Sequence, residues 1–162
     1  MTSLRRRVEA LEAEKRALEE ALEQQTKDAR PQELKLLTSI PGVGTKTACL
    51  FLAEIGDIYR FPSASKLVAY AGLTPALFES GSSINRRTRI SRLGSGSLRH
   101  LLYMPSLVAI RYNPALKRFF DRLVEKGKNR KAAVVACMAK LLRIMYGVLI
   151  HQRPFDPGYL EA

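Results

Sequence analysis

The sequence predicts a mostly α-helical protein: an N-terminal coiled-coil helix, then a compact helical domain containing a helix-hairpin-helix motif. Three observations carry that expectation. Apolar residues recur every three or four positions through the first thirty residues. Helical apolar spacing returns in separate segments between residues 33 and 151, and Gly, Pro or a short polar residue marks the breaks between them. The 162 residues suffice for one ordinary domain with an appendage, and a hydrophobic share of 46% can build a core, which excludes a wholly disordered chain.

Residues 1–30 form the first unit. With Met1, Val8, Lys15 and Leu22 at heptad position a, Leu4, Leu11, Leu18 and Gln25 fall at d. The stretch contains no Gly or Pro and stops at Pro31. So short a coiled coil is marginal in isolation, and Lys15 at an a position weakens it further. The segment predicts self-association into a homo-oligomer; the alternative is a helix folded back on its own domain. Its pattern is already running at Met1, which points to a longer parent protein.

Residues 31–162 form the second unit. A short helix over 33–39 leads into the tight turn Ile40-Pro41-Gly42-Val43-Gly44, and Thr45 is expected to cap a helix over 46–55. Ala48, Cys49, Phe51, Leu52 and Ile55 supply its apolar face. Ser63 caps a helix over 64–71, which ends at Gly72-Leu73-Thr74-Pro75. Residues 76–95 have no sustained helical period, and 87–90 could form a short strand or hairpin arm. Three helices follow: over 97–112 with Pro105 as an expected kink, from Asn113-Pro114 to near Gly127, and over 131–151. The last is long and apolar, but Lys140 and Arg143 in its middle would each cost a few kcal/mol in a bilayer, so it predicts a core helix and no membrane. Cys49 and Cys137 lie far apart inside apolar runs and read as buried thiols in a reducing compartment. With no secretory signal at the N-terminus, the expected location is the cytoplasm.

Charge narrows the function. Residues 1–30 hold seven basic and seven acidic side chains, so the net charge of +12 falls entirely on residues 31–162. Such an excess on one compact body is the footprint of a polyanion binder, with solubility as the plainer alternative. The absence of Trp and an aromatic share of 7% argue against a base-stacking platform for single strands. The acidic residues after residue 30 are scattered, so no metal site is expected in this chain.

Two segments carry candidate chemistry. In Ile40-Pro41-Gly42-Val43-Gly44-Thr45-Lys46, Gly42 and Gly44 allow a tight turn and close approach to a phosphate. The N–H groups of Gly44, Thr45 and Lys46 would start a helix, where the dipole favours an anion, and Lys46 adds a cation. From Ser80 to His100 there is no acidic residue, while Arg86, Arg87, Arg89, Arg92 and Arg99 supply guanidinium forks suited to phosphate oxygens. Serines are frequent there, and one could serve as a phosphodiester nucleophile, although a loop serine is more often a turn or capping residue. His100 and His151 have no partner constellation and read as structural.

The ordered features resemble the C-terminal transposase domain of the bridge-RNA-guided insertion-sequence transposases. The matching residues are Ile40-Pro41-Gly42-Val43-Gly44, Ala53-Glu54-Ile55-Gly56-Asp57, Phe61 and Ala69-Tyr70-Ala71-Gly72-Leu73-Thr74-Pro75, followed by Ser80-Gly81, Arg89-Ile90-Ser91-Arg92-Leu93-Gly94, Leu98-Arg99, Asn113-Pro114 and the Lys/Ala-rich last helix. The coiled coil also fits, because such a segment joins the two domains in that family. The resemblance implies that a serine of this domain attacks DNA and forms a phosphoseryl link, which makes Ser80 the candidate nucleophile, with Ser82, Ser83 and Ser95 as competitors. It further implies multimers around a structured guide RNA that pairs with double-stranded donor and target DNA in the bacterial nucleoid. The family's DEDD, RNase-H-like domain holds Mg²⁺ on four acidic residues that have no counterpart here. The chain therefore reads as a truncated transposase with no cofactor of its own, expected to bind nucleic acid but to recombine poorly alone. A second departure is Ser95, where Asn is expected after the glycine. The competing reading is a non-catalytic helix-hairpin-helix nucleic-acid-binding protein; a ribosome-associated RNA-binding protein would leave the heptads unexplained.

Overall fold

The computed structural model describes residues 2–74 and 94–160. Among them the chain is helical, with no strand: α1 (Thr2–Ala29), α2 (Pro31–Thr38), α3 (Thr45–Ile55), α4 (Ala64–Tyr70), α5 (Gly96–Tyr112), α6 (Pro114–Glu125) and α7 (Arg130–His151). Short 3-10 turns occupy Ile58–Arg60 and Pro157–Leu160. The possible strand at 87–90 lies outside the described residues.

Local chemistry explains most boundaries. Pro31 opens α2 two residues earlier than expected, since a first-turn residue needs no N–H. Ser63, Asn113 and Asn129 cap α4, α6 and α7 by accepting from backbone N–H groups of the first turn. Gly72, at φ +65°, closes α4, with the Leu73 N–H donating to the Val68 carbonyl at 3.1 Å. Pro105 does not break α5. It is buried, and the helix runs through it from Gly96 to Tyr112.

One expectation is corrected. Thr45 does not cap α3; it is the first residue inside that helix, and Gly44 holds the cap position at φ −84°, ψ 167°. The Val43 N–H donates to the Ile40 carbonyl and closes the turn, so helical hydrogen bonding begins with Ala48 N–H to Gly44 carbonyl at 2.9 Å.

The core gathers around α7, which packs against α2, α4, α5 and α6. Cys137, Leu141, Leu142, Met145 and Leu149 are fully buried on it and meet Leu37, Phe51, Leu52, Leu67, Leu98, Leu102 and Leu116 from the surrounding helices. Each such side chain contributes about 1.5–3 kcal/mol through apolar burial. Although α7 is long and apolar enough to cross a bilayer, most of that stretch is buried in the fold, as a core helix would be. Both cysteines are free, buried thiols; burial raises the pKa of each, that of Cys137 to about 11.

Helix α1 divides into two parts. Leu4, Val8, Leu11 and Leu18 of the expected seam are more than half exposed. The later turns instead meet α2 and α3, where Thr26 is buried and Leu22 half-buried. Arg30 completes the attachment: it pairs with Glu33 and donates from Nη1 to the carbonyls of Leu52 (3.2 Å) and Gly56 (2.8 Å). Those bonds tie the end of α1 to the C-terminus of α3, where the Leu52 carbonyl also accepts from the Gly56 N–H at 3.0 Å.

Candidate nucleic-acid interface

Helices α2 and α3 pack together through the turn at residues 39–44. The two glycines of that turn serve different needs. Gly42 sits at φ +101°, and a Cβ there would lie 2.7 Å from the backbone of Ala109 on α5. It is therefore demanded by the chain's own packing. Gly44 has an ordinary negative φ, is exposed, and a Cβ there would touch nothing within 4 Å. Among the described residues nothing requires a glycine at 44.

The start of α3 is open. No side chain caps it, and among the described residues the N–H groups of Thr45, Lys46 and Thr47 have no partner. Exposed donors at the positive end of a helix dipole suit an anion. Lys46 is exposed as expected, but its ammonium is not a free cation: Nζ donates to Glu19 Oε2 of α1 at 2.5 Å. This bond, and the charge of Lys46, hold the Glu19 carboxyl below its ordinary range.

The other end of α3 adjoins a second glycine joint. Ser95 N–H donates to the Tyr70 carbonyl at 2.7 Å, and a Cβ on Gly94 would lie 2.5 Å from that same oxygen and 2.7 Å from Gly72 N. The chain thus departs after Thr74 and returns at Gly94 beside the same backbone. Ser80 and the guanidiniums of Arg86, Arg87, Arg89 and Arg92 belong to the intervening segment, as do Ser82 and Ser83, and all lie outside the described residues.

The joint itself is densely bonded. Ser95 Oγ donates to Glu54 Oε1 at 2.6 Å, accepts from Leu98 N–H at 3.0 Å, and lies 2.9 Å from Ser97 Oγ. The Ser95 hydroxyl, then that of Ser97, holds the Glu54 carboxyl below its ordinary range, with Arg60 adding a weaker electrostatic pull. Ser95 is therefore occupied as the cap of α5, which disfavours it as a competing nucleophile. Arg99 is likewise engaged: Nη1 donates to the Ala71 carbonyl at 3.0 Å, so part of its fork closes the joint instead of facing a ligand.

Arg60 was not among the sequence candidates. Its guanidinium lies 4.8 Å from the Phe61 ring centre and 5.1 Å from that of Tyr70. Only folding brings Arg60 to Tyr70. The hairpin and the joint stand at opposite ends of α3, about 12 Å apart for the eight residues from Lys46 to Glu54. His100 and His151 are exposed. Among the described residues no three His, Cys, Asp or Glu side chains converge, so this part of the chain offers no donor set for Mg²⁺.

The model of the Transposase IS116/IS110/IS902 family matches residues 34–121, from α2 into α6. The chain belongs to this transposase family. Among relatives, the pilin gene-inverting protein of Moraxella bovis is 44% identical over 123 residues, 75% of this chain and 38% of that protein. The transposase for insertion sequence element IS1111A of Coxiella burnetii is 33% identical over 132 residues, 78% of this chain and 35% of that protein. The insertion element IS110 43.6 kDa protein of Streptomyces coelicolor is 32% identical over 114 residues, 70% of this chain and 28% of that protein. This transposase-family chain thus spans less than half the length of these relatives. The matched region contains both the hairpin and the joint, and it includes Ser80 and the arginines of the intervening segment.

Proposed function

We propose that this chain is the DNA-binding, serine-bearing part of an insertion-sequence transposase. The observation that carries the reading is the start of α3: uncapped N–H groups behind an exposed glycine whose missing Cβ no internal contact explains. An exposed glycine with open space in front of it admits a phosphate close to the backbone. The +12 charge and the names of the family and of the inverting relative, which describe DNA rearrangement, favour duplex DNA as the ligand. The turn then acts as a helix-hairpin-helix phosphate clamp that positions DNA without reading sequence. With the glycine joint at the far end of α3, one duplex would span both over about four base pairs of rise.

In this reading Ser80 is the nucleophile. Its Oγ–P bond forms as an ester bond of the strand breaks; the hydroxyl proton passes to a base and the strand end leaves as a hydroxyl. Arg86, Arg87, Arg89 and Arg92 would neutralise the phosphoryl charge. Chemistry requires a DEDD domain carrying Mg²⁺, joined to this domain or supplied separately, while a structured guide RNA chooses the sequence by pairing. The exposed Leu4, Val8, Leu11 and Leu18 seam supports a homo-oligomer through α1. The setting is the bacterial cytoplasm, at the nucleoid.

The test is trapping of a protein–DNA adduct with the DEDD domain present. Ser80→Ala abolishes the adduct and leaves affinity near wild type, whereas Lys46→Glu removes binding. A surviving adduct overturns the nucleophile assignment. If no adduct forms in the wild type but Lys46→Glu still loses DNA, the chain is a non-catalytic nucleic-acid binder.

A further inference from the structure

We propose that Lys140 and Arg122, which share the Phe119 ring between α6 and α7, form a second binding site for a backbone phosphate of duplex DNA. The proposal rests on the reading of the chain as a DNA binder, but it uses different helices from the hairpin and the joint.

Lys140 projects from the core helix between the buried Ala139 and Leu141, and its stem is half-buried. Its Nζ stands 4.7 Å from the Phe119 ring centre, and the Arg122 guanidinium carbon stands 5.5 Å from the same centre. The ring attracts each cation, but the two cations repel one another. Burial, then the charge of Arg122, lowers the proton affinity of Lys140, and Arg118 adds to the effect. Among the described residues neither Lys140 nor Arg122 has a carboxylate in ion-pair range, although Asp121 and Glu125 lie exposed on the same helix α6.

A like-charge pair held on one aromatic ring, with no neutralising acid among the described residues, is a local electrostatic conflict. Such local conflicts mark binding sites, where an outside group supplies the missing interaction. A phosphate group at this ring would accept charge-assisted hydrogen bonds from the ammonium and the guanidinium and offset their repulsion.

The experiment measures binding of a labelled DNA duplex between 50 and 200 mM salt, about the range over which phosphate contacts reveal themselves. Lys140→Gln and Arg122→Gln should each weaken binding about threefold to tenfold at low salt and lower the salt slope by about 1. Lys140→Gln should melt at or above the wild-type temperature, because it removes a repelled, half-buried charge; a merely structural lysine would lower it. Unchanged affinity and slope in both variants, with Lys46→Glu impaired, overturns this site alone. If the wild-type chain binds no duplex, the proposed function falls and this site with it. Should Lys140→Gln fail to fold, the exposed Arg122→Gln decides the matter by the same slope.

Discussion

The start of α3 and the start of α5 have similar local sequence and opposite bonding. Each follows a glycine turn and each has small hydroxyl residues to hand, Thr45 and Thr47 in one case and Ser95 and Ser97 in the other. At α5 the hydroxyl caps the helix and is itself held by Glu54. At α3 no side chain caps the start, and Lys46 beside it is paired with Glu19 of α1. A satisfied helix end is structural; an open one at the surface of a strongly basic protein is available to a ligand. The contrast separates residues that make the fold from residues free to act on something else.

The largest test of that contrast lies within the hairpin. Gly42→Ala must fit a Cβ against the Ala109 backbone at positive φ, and should cost about 3 kcal/mol or more in urea unfolding. Gly44→Val should cost about 1 kcal/mol yet reduce duplex affinity at least tenfold by closing the approach to the helix start. Equal stability losses for the two would break the comparison.

Ser95→Ala should come next, at about 1–2 kcal/mol, because it removes the α5 cap and the Glu54 bond together. The same pair sets a pH dependence. Glu54 titrates lower in the folded state than in the unfolded chain, so its contribution is present above the unfolded carboxylate range and disappears as pH falls through the lower folded value. Unfolding curves of wild type and Ser95→Ala should therefore converge on acidification; a constant gap would mean that the carboxylate is not involved.

The smallest effect belongs to α1. Glu19→Gln frees the exposed Lys46 from its half-buried partner and should tighten duplex binding by about threefold, since pairs near the surface are weak. Weaker binding in that variant would show that Glu19 orients Lys46 for the DNA instead of competing with it.

Much of this was legible in advance. The helical period before Pro31, the capping residue Ser63, the helix start at Asn113-Pro114 and the apolar face of α3 are local patterns, and local patterns survive folding. The open turn at Gly42 and Gly44 was readable for the same reason. Thr45 misled because a hydroxyl one residue late resembles a cap; only the turn geometry shows that Gly44 has already taken the position. Arg60 carried no signal, since its place beside Tyr70 depends on contacts between separate segments.

By itself the sequence determined the helical class, the excess of positive charge, the glycine turn at residues 40–44 and the segment rich in serine and arginine. Each follows from periodicity, charge count or the stereochemistry of glycine, which need no knowledge of distant neighbours. Tertiary structure decided which of those groups remain available. It enlisted Ser95 and Arg99 in a joint, lent Lys46 to Glu19, and set Lys140 beside Arg122. Whether a donor or a charge is spent internally depends on partners that folding alone delivers.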